Sequence, residues 1–236
     1  MTAKNWSLTV AIAVGLCPVP ALAAGDPLRE AWERCEAGTM LNSTVIDGCT
    51  AVISSGKQTG KDLAAAYTIR AGAMAQKGDL TAAVADYSEA LRIDPESAVL
   101  LKYNRGVAYS RLGDRAHAIA DFDEVVRLKP QFTNALVERG IVYALDDKYD
   151  LAIGDFDQVL RLEPNAADVY TNRGNAFAKK GNLDHALADF NRAIELDPKY
   201  ALAYYNRGYT LARAGRAKEG AADIEKAKSI DPEVDK

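Results

Sequence analysis

Five arginines and five aspartates recur in step along this chain of 236 residues. Arg70, Arg105, Arg139, Arg173 and Arg207 are each followed, sixteen residues later, by Asp86, Asp121, Asp155, Asp189 and Asp223. A row of guanidinium groups can hold an anionic ligand, or it can pair with the carboxylates that accompany it. Because every Arg brings its own Asp, we read the two columns as a structural ladder of ion pairs, one rung per repeat and partly buried. An arginine row open to an anion is the alternative. An exposed rung contributes about 0–1 kcal/mol, whereas removing one partner of a buried rung costs about 3–5 kcal/mol.

Other residues with chemical potential carry less. His117 and His185 occupy the same place two repeats apart, on a face that should be solvated, and cannot share a metal. Gly56-Lys57-Gln58-Thr59-Gly60-Lys61-Asp62 faintly suggests a phosphate loop, but its glycines are one residue too close, Asp62 stands where Ser or Thr is needed, and no strand precedes it. It reads as a polar linker. Acidic pairs such as Asp146-Asp147 and Asp121/Asp123 read as loop and surface charge. No Ser/His/Asp set, metal cluster or paired carboxylates in a shared cleft emerges, so we expect no enzyme, no cofactor and no metal. The net charge of −4 and the absence of a basic tract argue against nucleic acid.

The elements that position the ladder follow from its period. The arginines are spaced 35, 34, 34 and 34 residues, and so are the aspartates and the prolines Pro95, Pro130, Pro164, Pro198 and Pro232. Asn104-Arg105-Gly106 returns as Asn172-Arg173-Gly174 and Asn206-Arg207-Gly208. A fixed period near 34 means stacked units rather than a globule around a central pocket. Within residues 167–200, Tyr170, Gly174 and Phe177 share one face of a first helix. Gly181 supplies a left-handed stop and Asn182 an N-cap. Ala186, Phe190 and Ala193 stripe a second helix, which Pro198 ends. Gly174 and Ala186 are small because two backbones approach there, and Phe190 fills the space beyond. The last unit departs from this pattern, with Gly220 for the small Ala and Ile224 for the aromatic. The third carries Asp147 at its turn instead of Gly, so its first helix should end less cleanly.

These columns resemble the tetratricopeptide repeat family over residues 64–234. The resemblance implies an all-α fold: a right-handed superhelix, or α-solenoid, of about five helix-turn-helix units at 64–97, 99–132, 133–166, 167–200 and 201–234. It also implies a non-catalytic protein–protein interaction scaffold. In that family the first helices line a concave groove. The groove candidates here are Tyr103, Asn104, Val137, Ile141, Thr171, Asn172, Asn175, Tyr205, Asn206 and Tyr209, an apolar and aromatic lining with amides able to hold a peptide backbone. Packing of Tyr103, Tyr205 and Tyr209 against adjacent repeats is the other reading. The family's clamp for a C-terminal carboxylate is poorly matched, because Asn134 and Glu138 stand where basic residues are needed. The alternative function is a self-assembling structural module of the cell envelope, with homo-oligomers formed through exposed ends.

The N-terminus reads as an export signal. Lys4 precedes an apolar run from Leu8 to Leu16, and Ala21-Leu22-Ala23 suits cleavage after residue 23. The run is short for a membrane span, so we expect no stable span after cleavage; an uncleaved anchor is the alternative. Residues 24–236 keep Cys35 and Cys49, an even pair that favours a disulfide in an exported chain. Residues 24–63 read as a helical hairpin stapled by that bond, plus a linker. This hairpin is similar to the cysteine-bearing caps of exported bacterial tetratricopeptide proteins. We therefore expect a periplasmic or secreted protein, from a Gram-negative bacterium, with a protein or peptide as partner.

Overall fold

The computed structural model describes residues 26–36 and 43–235. The proposed signal segment and the turn between the two cysteines lie outside them. Among the described residues there are twelve α-helices and no strands. The fold is an all-α helical repeat, and the described residues fall into two compact units, one reaching residue 130 and one beginning at 131.

The first unit contains α1 (Pro27–Glu36), α2 (Ser43–Ser54), α3 (Gly60–Lys77), α4 (Leu80–Ile93), α5 (Ala98–Leu112) and α6 (Arg115–Leu128). Helices α1 and α2 form a hairpin joined by the Cys35–Cys49 disulfide, with Cα atoms 4.7 Å apart. Gly48 makes this closeness possible: a Cβ there would stand 2.7 Å from the backbone nitrogen of Cys35. Leu28, Trp32, Val45 and Val52 pack around the disulfide and against Ile69 and Ala73 of α3. Helix α3 starts at Gly60, inside the stretch expected to be linker. Asp62 sits in its first turn, where a carboxylate suits the helix dipole, and Lys61 pairs with Glu96 at 2.7 Å. The single extra residue of the period is absorbed between a 3-10 turn at Pro95–Ser97 and the 15-residue α5.

The second unit contains α7 (Thr133–Leu145), α8 (Tyr149–Leu162), α9 (Ala167–Lys180), α10 (Leu183–Leu196), α11 (Ala201–Arg213) and α12 (Ala217–Ile230). Each consecutive pair packs as a hairpin around one motif. In α9–α10 a Cβ on Gly174 would stand 2.8 Å from the Phe190 ring, so the ring occupies the space the glycine leaves. Ala186 and Phe190 are fully buried beside it. Gly140 with Phe156, and Gly106 with Phe122 in the first unit, repeat the arrangement.

The α7–α8 turn corrects one expectation. Asp147 takes the left-handed conformation itself, at φ 57°. The turn closes with the bonds the glycine turns use: Lys148 N–H donates to Tyr143 O at 2.9 Å, as Asp79 N–H does to Met74 O. Asp tolerates this region better than most side chains, because its short carboxylate bonds locally. Here Tyr149 donates its hydroxyl hydrogen to Asp147.

Candidate functional site

The first helix of each repeat carries the arginine inward toward its own second helix. Arg70 donates from Nε and Nη2 to both oxygens of Asp86 at 2.7 and 2.8 Å. Arg105 does the same to Asp121 at 2.8 and 2.7 Å, and Arg139 to Asp155 at 2.8 and 2.6 Å. Arg173 meets Asp189 at 2.8 and 2.6 Å, and Arg207 meets Asp223 at 2.6 and 2.8 Å. These fork-to-fork pairs are the strong geometry for a guanidinium and a carboxylate. Hydrogen bonding from the aspartates holds Arg70, Arg105, Arg173 and Arg207 above the ordinary arginine range, against the opposing effect of burial.

A second set of acceptors escaped the sequence reading. The remaining nitrogen, Nη1, reaches back to the preceding second helix: Arg70 to Thr50 Oγ1 at 3.1 Å, Arg105 to Ser88 Oγ at 3.0 Å, Arg173 to Asp157 Oδ1 at 2.6 Å and Arg207 to Asn191 Oδ1 at 2.7 Å. Ser88, Asp157 and Asn191 each follow a ladder aspartate by two residues, a column of polar side chains that could have been noticed. Thr50 shows that α2 serves α3 as a second helix serves the next repeat. Aromatic rings flank the guanidiniums as well, with Tyr67 at 5.5 Å from Arg70, Tyr143 at 5.7 Å from Arg139 and Tyr204 at 5.4 Å from Arg207. Arginines engaged on both edges and one face leave little for an anionic ligand.

The groove candidates divide sharply. Tyr103, Asn104, Ile141, Thr171, Asn172, Asn175 and Asn206 are buried, and Val137 and Tyr205 are half-buried. Tyr209 is 44% exposed. Seven of the ten positions placed on an open surface by spacing are therefore packing positions in the folded chain. The reason is contact between the first helices of successive hairpins: α3 touches α5, α7 touches α9 and α9 touches α11. Helix α11 has no later first helix beside it, so its inner face stays accessible. There Tyr205 and Tyr209 pair with ring centroids 4.9 Å apart, tilted by 59°, with their hydroxyls 3.4 Å apart. Burial pushes the Tyr205 phenol up to about 12, aided by the Tyr209 hydroxyl.

The histidines lie outside this surface. His117 stacks on Tyr109 at 5.0 Å and its Nδ1 is 2.7 Å from Asp114 Oδ2; His185 lies 5.1 Å from Phe177 and its Nδ1 is 2.9 Å from Asn182 Oδ1. No group of three or more His, Cys, Asp or Glu among the described residues is placed to hold a metal.

Comparison with known proteins agrees with this architecture. A family model described as "TPR repeat" matches residues 73–113, 145–181 and 174–215, and one described as "Tetratricopeptide repeat" matches 101–132 and 201–234. No match was found among curated proteins. Among solved structures, a tetratricopeptide repeat protein from Parabacteroides merdae aligns with a TM-score of 0.75 at 22% identity, covering 86% of this chain and 78% of its own. MamA from Desulfovibrio magneticus RS-1 aligns at 0.65 and 25%, covering 73% and 97%. YrrB, described as a TPR protein with an unusual peptide-binding site, aligns at 0.61 and 26%, covering 79% and 94%. The two family models together span residues 73–132 and 145–234, more than half of the 236 residues, and the chain belongs to the tetratricopeptide repeat family.

Proposed function

We propose that this protein is a non-catalytic scaffold that binds a segment of another protein on the inner face of α11. One observation carries the reading: Tyr205 and Tyr209 are an adjacent aromatic pair left accessible where the corresponding positions of α9, Thr171 and Asn175, are closed. Aromatic side chains of this kind supply large contact area with few rotamers to fix, which makes them the usual anchors of protein interfaces. The likeness to a protein described as having a peptide-binding site points the same way. The Cys35–Cys49 disulfide supports an exported protein. No helix among the described residues is long and apolar enough to cross a membrane.

The second reading, self-assembly through the ends, is disfavoured at α12. The column that receives a following helix is apolar elsewhere: Ile153 and Leu160 flank Asp157, and Leu187 and Ile194 flank Asn191. At the corresponding places α12 has Ala221 and Lys228 around Glu225, all three exposed. A small residue and a charge there weaken stacking of another hairpin.

The test is affinity capture from envelope extract, wild type beside Tyr205→Ala/Tyr209→Ala, with mass spectrometry of what is lost. The double variant should lose its specific partner while circular dichroism and sedimentation stay unchanged. Equal capture by both proteins would remove α11 as the binding face, and a wild-type dimer in sedimentation would favour self-assembly.

A further inference from the structure

The exposed aromatic face has an acidic neighbour on the same chain. After α12 the backbone turns at Pro232. Glu233 N–H donates to Asp231 Oδ1 at 2.9 Å, and Val234 N–H donates to Asp231 O at 3.2 Å. Val234 becomes half-buried. The turn returns Asp235 to α12, where its Oδ2 lies 2.5 Å from Lys228 Nζ. Both ends of this ion pair stand near the tyrosines: the carboxylate of Asp235 adds to the upward push on the Tyr205 phenol, and Lys228 interacts electrostatically with Tyr209. The latch is weak by construction, since Lys228 is 50% and Asp235 30% exposed. Exposed pairs of this kind are broken easily and are screened by salt.

Resting on the reading of α11 as the binding face, we propose that residues 231–235 form a strap beside the Tyr205–Tyr209 pair, latched by Lys228–Asp235, which a partner segment must lift before it can lie along α11. The strap makes the face conditionally available. High salt, loss of the latch or a competing carboxylate at Lys228 frees it.

The experiment needs no identified partner. Tyrosine O-acetylation by N-acetylimidazole, mapped by peptide mass spectrometry, is compared in wild type, Lys228→Met and Asp235→Asn. Acetylation of Tyr205 should rise about two- to fivefold in both variants, the factor that an exposed ion pair can hold back, and high salt should raise the wild-type rate toward theirs. Equal rates in all three proteins overturn the strap, as does amide exchange at Val234 and Asp235 as fast as in an unstructured peptide. Capture from envelope extract separates the two claims. Faster acetylation with stronger capture supports gating, and faster acetylation with unchanged capture overturns it. Faster acetylation with no capture by any form leaves the strap standing and overturns the binding function itself.

Discussion

Gly208 lies so close to Gly220 that a methyl group added to it would stand 2.7 Å from the Gly220 carbonyl oxygen. In the other Gly-to-aromatic hairpins the same methyl would meet the edge of a Phe ring. This explains why the last repeat abandons both the alanine and the aromatic of its second helix: α11 and α12 touch backbone to backbone, and no ring fits between them. A ring edge can shift, but a helix backbone shifts only with its whole helix. Gly208→Ala should therefore cost more than Gly174→Ala, at the upper end of the roughly 1–3 kcal/mol range for overpacking. Phe190→Leu should partly rescue Gly174→Ala, and Ile224→Ala should do little for Gly208→Ala. Urea denaturation of the four proteins decides this.

The rungs are mostly buried, so half a rung should be worse than none. Asp121 is 6% and Arg105 18% exposed at the side chain. Arg105→Met, which strands the carboxylate, should cost about 3 kcal/mol. The double variant Arg105→Met/Asp121→Leu should cost clearly less than the sum of the single changes. Additive losses in a double-mutant cycle would mean that the pair contributes no coupling.

Asp147 adopts a conformation that glycine reaches without Cβ strain. Asp147→Gly should stabilise the protein by about 0.5–1 kcal/mol, less what is lost with the exposed hydrogen bond from Tyr149. Thermal melting checks the sign.

The hydrogen bond from Lys102 holds Glu124 below the usual carboxylate range. A carboxylate depressed in the folded state stabilises it above the unfolded pKa of about 4.3, and that contribution fades as pH falls through the lower folded value. Glu124→Gln should therefore be less stable than wild type by about 0.5 kcal/mol near neutrality, a small figure because the carboxylate is partly solvated. The two proteins should converge in strong acid. A gap that persists unchanged in acid would assign the loss to something other than charge.

The repeat spacing made the helices, their turns and the glycine–aromatic contacts legible, because each depends on residues within one hairpin. It also placed each Arg opposite its Asp, since a separation of sixteen residues spans a single turn. The inner face was legible only in part. Whether Ile141 or Thr171 meets solvent depends on how closely neighbouring first helices approach, and a period records recurrence rather than distance. Asp157 and Asn191 were hidden for a related reason: their partners belong to the next hairpin, and the side chain changes from one repeat to another. The α3 boundary was missed because Gly60 and Thr59 are loop-like by composition, while the helix is carried by the apolar residues that follow.

The backward reach of the arginines gives the second unit a preferred order of fraying. When α11 and α12 detach, Arg207 leaves behind only Asn191, a neutral amide that water readily satisfies. Loss of α9 instead strips Asp157 of its cation. The polarity of one guanidinium nitrogen thus makes the last hairpin the easiest to peel away, like the loose end of a zip, and hydrogen exchange should run fastest there and slow toward α8.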